Sequence, residues 1–223
     1  MNRKKLLILS ILGFIFIGGI SILGIFAYSY IHPSSQITNR AHNIQNYQAI
    51  DSAILLLRNG DIVLRSGADA TSYIFTQFNQ KDKTYSHCGI VVIEQGYPFI
   101  YHSIGGEDNP DQILKRDSAS FWFSPVHNLG MAIVRFAFDS MNRASIVEEA
   151  KKIYTQKPKF DMQFDLFTDD RMYCAEYIYK VLNKAMKDSN YISASKKFGV
   201  LYVATENLFL NPHAHFVCRL RYK

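Results

Sequence analysis

The spacing of apolar residues along the chain predicts alternating strands and helices from about residue 51 onward. Short β-rich runs bounded by turn residues predict strands at 62–64, 85–93, 99–103, 131–138 and 214–222. Longer amphipathic stretches predict helices at 69–78, 140–154 and 173–182. Because the turn Gln95-Gly-Tyr-Pro98 separates two of the strand runs, residues 85–103 should form an antiparallel hairpin. The pattern indicates an α+β fold class, with an antiparallel sheet packed against helices.

Side-chain alternation divides the strand predicted at residues 85–93 into two faces. One face carries the odd positions from His87 onward, and the other carries the even positions from Cys88 onward. We therefore expect the Cys88 side chain to point to the opposite face of the strand from His87 and from any group that His87 contacts. Cys88 then acts as a small packing residue in the core.

The helix predicted around Cys174 places this thiol in or near the first helical turn. Asp169 and Asp170 come just before it, where acids cap free amides and complement the helix dipole. Counting by three and four puts Cys174 on the apolar face, while Glu176 and Lys180 form an i,i+4 pair on a largely opposite polar face. The thiol should therefore be buried at the positive end of the helix.

An uncharged apolar run from residue 6 to residue 31 precedes the predicted domain. At about 1.5 Å per residue, a helix of this length exceeds the roughly 30 Å hydrocarbon core of a bilayer. A cleaved signal peptide is the alternative, but its apolar region is shorter, about 7 to 15 residues. Basic residues at positions 3–5 favour a cytoplasmic N-terminus. We therefore expect a single-pass membrane protein with an anchor over residues 1–31, a juxtamembrane linker over 32–50, and an extracytoplasmic domain over 51–223.

Composition excludes some classes of protein. The chain has 223 residues and is 48% apolar, which is ample for a folded core. Its net charge of +6 depends partly on the basic residues at positions 3–5, so the rest is too balanced to predict nucleic-acid binding. The three cysteines have no close spacing, so neither a disulfide framework nor a paired zinc site is predicted. The aromatic run at residues 121–123 is interpreted as core.

Cys174, His87 and His102 form a candidate catalytic set. A helix N-terminus and a nearby imidazole both favour the thiolate form of a cysteine, and a third polar group can orient the imidazole. His102 lies on the strand beside His87 in the predicted hairpin and suits that third role. The residues alone leave an alternative open, in which Cys174 is a buried core thiol and both histidines are structural.

Four segments resemble, in their order along the chain, the motifs of the permuted papain-fold branch of the NlpC-like superfamily. They are closest to YiiX-like proteins and more distantly similar to lecithin retinol acyltransferases. The segments are Asn59-Gly-Asp-Ile-Val63, Tyr85-Ser-His-Cys-Gly-Ile-Val91, Ile100-Tyr-His-Ser103 and Tyr173-Cys-Ala-Glu-Tyr-Ile178. The resemblance implies a circularly permuted papain-like fold, in which the histidine strands precede the cysteine helix.

Carried over residue by residue, the resemblance implies that Cys174 is the nucleophile, His87 the base and His102 the orienting residue. Many YiiX-like relatives have Glu at the third position, whereas His is what the acyltransferase branch uses, which leaves the orienting residue and the substrate class less defined. The implied reaction is acyl transfer through a thiol acyl-enzyme, with no metal or organic cofactor. The Cys174 N–H is a candidate oxyanion donor, and Tyr173 flanks the site.

The expected function is that of a membrane-anchored cysteine hydrolase that cleaves amide bonds, a peptidase or amidase acting on cell-wall or other small peptides. Three alternatives remain: a lipid acyl hydrolase or acyltransferase on the same fold, a non-catalytic module that binds a hydrophobic ligand, and a zinc site built from Cys174, His87 and His102. The expected partners are a small peptide or acyl-containing substrate and the membrane. The sequence does not define the oligomeric state.

Overall fold

A computed structural model describes residues 35–106, 109, 111–197 and 199–223. The helices in these residues are α1 (Ser35–His42), α2 (Ile44–Ile54), α3 (Ala70–Thr76), α4 (Ala119–Trp122), α5 (Ser140–Gln156), α6 (Cys174–Met186) and α7 (Glu206–Phe209). The strands are β1 (Ile62–Gly67), β2 (His87–Glu94), β3 (Tyr97–His102), β4 (Lys115–Ser118), β5 (Asn128–Phe136), β6 (Ser195–Lys197), β7 (Val200–Tyr202) and β8 (Ala214–Arg221).

Six of the strands form one antiparallel sheet in the order β4-β3-β2-β1-β5-β8. The predicted hairpin is confirmed, because β2 and β3 pair antiparallel with Ile90 opposite Tyr101. β1 lies between β2 and β5, so the strands richest in β-branched residues occupy the centre of the sheet. The short strands β6 and β7 form a separate two-stranded sheet.

Apolar side chains cover both faces of the six-stranded sheet. The even positions of β2, beginning with Cys88, join a core cluster with residues of α5 and α6, and we call this side the cysteine face. Val91 points to the other side, where it joins a second cluster with residues of α2 and with Trp122, and we call this side the tryptophan face. The alternation predicted for β2 therefore holds, and it divides the molecule into helices, sheet and helices.

The predicted fold class requires a correction. The α+β architecture with a large antiparallel sheet is present, but the prediction also placed a transmembrane helix before it. No helix in residues 35–106, 109, 111–197 and 199–223 is long and apolar enough to cross a membrane. The predicted anchor itself, residues 1–31, lies outside the described residues.

Two compact units divide the chain at residue 42. The described part of the first unit includes helix α1, and the second unit begins at Asn43. Asn43 caps α2 by accepting a hydrogen bond from the Gln45 amide at 3.0 Å. Helices thus occupy much of the stretch at residues 35–50, which the sequence pattern assigned to the linker.

Helix α6 is buried more completely than its amphipathic pattern predicts. Its polar residues Glu176, Lys180 and Asn183 are all buried, as is its apolar face. The predicted i,i+4 pair is present, with Lys180 Nζ 3.0 Å from Glu176 Oε1. Asp169 does not cap the helix as predicted; it is largely exposed and bonds Lys180 at 2.9 Å instead. The loop before α6 therefore covers the polar side of the helix.

Candidate active site

Cys174 is the first residue of α6, and its side chain lies in the core cluster of the cysteine face. Tyr173 has an extended backbone before the helix, and its amide donates to Glu176 Oε2 at 3.1 Å. This contact closes the first turn of the helix, as Glu does in a capping box. Cys174 is the first helical residue, so its own N–H has no acceptor within the helix. The thiol is 5% exposed.

The surroundings of Cys174 favour its thiolate. The pKa of Cys174 is lowered first by a hydrogen bond from the Cys88 thiol, against burial, which opposes ionisation. The backbone amides of Cys88 and Ala175 and the positive charge of Arg65 lower the pKa further. Cys88 itself is fully buried in the core cluster of the cysteine face, as predicted for a packing residue.

His87 and His102 are hydrogen-bonded to each other on the tryptophan face. The distance from His87 Nε2 to His102 Nδ1 is 2.9 Å, and the distance from His102 Nε2 to Asp117 Oδ2 is 2.8 Å. Trp122 packs against both rings, with centroid distances of 5.9 Å to His87 and 6.1 Å to His102. Three side chains from β2, β3 and β4 therefore form one hydrogen-bonded line against an indole.

The ionisation of the three groups fixes the direction of these hydrogen bonds. Burial opposes ionisation of Asp117, but the hydrogen bond from His102 and the nearby charges of Lys115 and Arg65 together lower the pKa of the carboxyl, which can then only accept. Burial lowers the pKa of His102, although Asp117 raises it in part. Burial, with Arg65 and His102, holds the pKa of His87 well below its usual value. Both imidazoles are therefore neutral at pH 7.

A neutral His102 that donates from Nε2 to Asp117 must accept at Nδ1. His87 then donates from Nε2, which leaves the lone pair of His87 on Nδ1. Among the described residues, His87 Nδ1 has no hydrogen-bond partner, and the residue is 9% exposed. This nitrogen is therefore available to act as a base.

The structure brings His87 and His102 together, but neither forms a hydrogen bond to Cys174 among the described residues. The side chain of Cys174 belongs to the cluster of the cysteine face, whereas His87 packs on Trp122 on the tryptophan face. The thiol and the imidazole therefore lie on opposite faces of the sheet. Tyr173 flanks the site as predicted, and its hydroxyl accepts from the Val203 amide at 2.8 Å.

Sequence reasoning missed Asp117, Arg65 and the contact of Trp122 with both histidines. Asp117 gave no signal, because its short strand β4 has no apolar alternation. Trp122 is fully buried as predicted, but it packs against both histidines, while its neighbour Phe121 is exposed, so the prediction that the whole run is core is wrong.

A narrow pocket adjoins Cys174, with a cavity volume of about 20 Å³, which is room for roughly one water molecule. Its largest wall residues are Phe75, Phe78, Phe164 and Tyr173, and no charged side chain lines it. Phe164 has a φ of 56°, a conformation that is strained for a bulky residue. The pocket can accept an apolar group only if these aromatic side chains move apart.

No protein-family model matches the chain. It is 26% identical over 131 residues to YiiX of Escherichia coli strain K12, which is described as an uncharacterised protein. The match covers 58% of this chain and 59% of YiiX, so it spans about three fifths of the relative. The crystal structure of metalloprotein YiiX from E. coli O157:H7 has a similar fold, with a TM-score of 0.60 and 18% identity over 74% of this chain and 98% of that one. Sequence and fold together support homology of this chain to YiiX.

Proposed function

We propose that the protein is a cysteine hydrolase that cleaves amide bonds through a Cys174 acyl-enzyme. One observation carries the proposal: Cys174 starts helix α6 beside a pocket, in surroundings that lower the pKa of its thiol. The order of the residues, with His87 before Cys174, matches that of the permuted papain-fold enzymes. Membership in the NlpC-like superfamily is part of the proposal.

In the proposed reaction, Cys174 Sγ attacks the carbonyl carbon of the substrate while His87 Nδ1 takes the thiol proton. This step requires the imidazole of His87 to turn toward the thiol, past the peptide bond that joins it to Cys88. Before this turn, His102 and Asp117 hold the opposite nitrogen of His87 in the protonated state, which leaves Nδ1 as the basic nitrogen. The free N–H of Cys174 faces the oxyanion. His87 then protonates the leaving group and activates the water that releases the acyl group.

The lining of the pocket favours a second candidate, an acyl hydrolase or acyltransferase acting on lipid esters. A pocket for a charged peptide needs a charged partner, whereas the walls here are aromatic and uncharged. The two candidates share the nucleophile and the base. They differ in the scissile bond, and an apolar acyl group suits both of them.

The name of the E. coli structure describes YiiX as a metalloprotein, which raises the question of whether the candidate site of this chain could bind a metal. His87, His102 and Asp117 form a line of hydrogen bonds rather than surrounding one point. Across residues 35–106, 109, 111–197 and 199–223, no three His, Cys, Asp or Glu side chains are grouped so that they could hold a metal ion. The donors do not fit a metal, and no step of the proposed reaction uses one.

The test is hydrolysis of matched p-nitroanilides and p-nitrophenyl esters with acyl chains of increasing length. We expect activity that rises with chain length and falls at least about a thousandfold in Cys174→Ala, because that change removes the nucleophile. Cys218→Ala is the matched control, since this cysteine lies on β8 away from the pocket. Full activity in Cys174→Ala would refute the proposal. Anilide cleavage indicates an amidase, and cleavage of esters alone supports the second candidate.

A further inference from the structure

One side of the pocket beside Cys174 is formed by residues 161–169, which we call the wall segment. Phe164 is the residue of the wall segment that lines the pocket. Another side is formed by Phe75 of helix α3 and by Phe78, which follows this helix. The ring centroid of Phe164 lies 4.9 Å from that of Phe78 and 6.1 Å from that of Phe75. These three rings fill the gap between the wall segment and α3.

Both ends of the wall segment are fixed to the rest of the fold. Just before its first residue, the Phe160 amide donates a hydrogen bond to the Gln112 carbonyl at 2.5 Å. At its far end, Lys180 of α6 donates to the Thr168 carbonyl and lies 2.9 Å from Asp169 Oδ1. The ends are therefore held by polar contacts to other segments.

The middle of the wall segment, residues 163–167, is held differently. Across the part of the chain that the structure describes, its hydrogen bonds reach only Asp161, Asp165 and other residues of the same segment. Apolar contacts of Phe164 and Leu166 join it to the core cluster of the cysteine face. Phe164 also has a φ of 56°, which is unfavourable for a bulky side chain. The middle can therefore move outward without breaking a hydrogen bond to another segment.

The two segments that border the gap also carry exposed apolar side chains. Met162 and Phe167 are exposed on the wall segment, and Tyr73 and Ile74 are exposed on α3. Among the described residues, no charged side chain lines the pocket. An aliphatic chain in the gap would contact apolar side chains, whereas a charged group would lose its hydration without gaining a partner. The lining of the gap therefore fits an acyl chain.

We propose that Phe164 is the specificity-determining residue of an acyl-chain site between α3 and the wall segment. With Phe164 packed against Phe78, the cavity of about 20 Å³ has room for roughly one water molecule, so longer groups are kept from Cys174. When the middle of the wall segment moves outward, the chain takes the place of the Phe164 ring. This inference rests on the proposed function, because it assigns the chain to the acyl group that Cys174 attacks.

The experiment measures access to Cys174 in the full-length chain with two thiol reagents that differ only in chain length, methyl and hexyl methanethiosulfonate. Both reagents transfer an alkylthio group to a thiol, so peptide mass spectrometry measures labelling of Cys174 whether or not the protein hydrolyses a substrate. In Phe164→Ala, we expect the rate with the hexyl reagent, relative to the methyl reagent, to rise at least about tenfold, because the ring that blocks the chain is gone. Phe164→Leu should give a smaller rise.

Phe167→Ala is the matched control, since it makes the same change in the same segment to a ring that is 85% exposed. Its ratio of the two rates should equal that of the wild-type protein. Cys218 on β8 is the internal control, because it lies outside the pocket and its labelling should not change between variants. Circular dichroism checks that each variant is folded. If Phe164→Ala folds poorly, Phe164→Leu, which keeps an apolar side chain at this position, decides the result.

An unchanged ratio in the folded Phe164 variants would overturn the inference, and so would an equal rise in Phe167→Ala. The same variants distinguish this failure from failure of the proposed function. If the ratio rises in Phe164→Ala but no anilide or ester is hydrolysed, Phe164 controls access and the hydrolase proposal fails. If the wild-type protein hydrolyses acyl substrates but Phe164→Ala changes neither the ratio nor the dependence on chain length, only the role of Phe164 fails.

Discussion

At the start of β2, the cysteine face of the sheet carries the proposed nucleophile and the tryptophan face carries the proposed base. On the cysteine face, a thiol donor, backbone amides and the charge of Arg65 favour the anion of Cys174. On the tryptophan face, burial against Trp122 keeps His87 and His102 neutral. One step along the strand, from His87 to Cys88, changes the environment from one to the other.

The comparison indicates that the thiol and the imidazole do not shift each other's pKa, although Arg65 acts on both. In an ion-paired thiol and imidazolium, each charge lowers or raises the pKa of the other. The groups that shift the pKa of Cys174 here include Cys88 and Arg65, while those that shift His87 are burial, Arg65 and His102. Thiol reactivity and hydrolysis should therefore respond differently to mutations on the two faces.

The largest effect is expected for His87→Ala. Loss of a general base should lower kcat by about 10²- to 10⁴-fold. Alkylation of Cys174 by iodoacetamide should change little, because Cys88 and Arg65 still stabilise the thiolate. The measurement pairs hydrolysis of the best acyl substrate with the alkylation rate at the same pH. If alkylation falls as steeply as hydrolysis, the two faces are not independent.

The next effect concerns stability on the cysteine face. Burial raises the pKa of Glu176 to about 7 from its ordinary 4.5, although Lys180 opposes the shift. Because the folded state holds this proton more tightly than the unfolded chain, the contribution of Glu176 to stability is full below pH 4.5 and is lost as the pH rises through 7. The loss should amount to about 2.5 kcal/mol between pH 5 and pH 8.

Urea unfolding of the wild-type protein and of Glu176→Gln at pH 5 and pH 8 measures this loss of stability. The variant should lose most of the pH-dependent fall, since the glutamine amide does not ionise in this range. Glu148→Gln, an exposed acid on α5, is the matched control and should keep the fall. A wild-type protein that is equally stable at pH 5 and pH 8 would contradict the interpretation.

A smaller effect is expected for Asp117→Asn on the tryptophan face. Asp117 acts through His102 as a positioning residue, and a hydrogen bond to a charged group contributes about 1.5–3 kcal/mol. The expected loss in kcat is therefore roughly tenfold to hundredfold, with KM unchanged. Because Asp117 raises the pKa of His102, its removal should also move the acid limb of the pH profile to lower pH.

Asp170→Asn, an exposed acid before α6, serves as the control and should leave kcat and the pH profile as in wild type. A purely structural role for Asp117 would lower stability without moving the acid limb. Unaltered kcat and pH profile in Asp117→Asn would remove it from the site.

Much of the fold and the identity of the candidate residues followed from local patterns. The hairpin at residues 85–103, the C-terminal strand and the start of the cysteine helix near Cys174 all agree with the structure. Each depends on the sequence within a few positions, such as alternation along β2 or a turn with glycine. The burial of Glu176 and Lys180 could not be predicted from the helical pattern, because the loop before α6 covers them.

The sequence alone determined which residues could react: a thiol at a helix start, and two histidines on neighbouring strands. These features follow from the sequence because hydrophobic periodicity, turn residues and the order of the motifs can be read from short segments of the chain. Only the tertiary structure decided that Asp117 completes the line of hydrogen bonds from the histidines, and that thiol and imidazole lie on opposite faces. Those contacts join segments from β1 to α6, and their geometry depends on which face of the sheet each helix packs against.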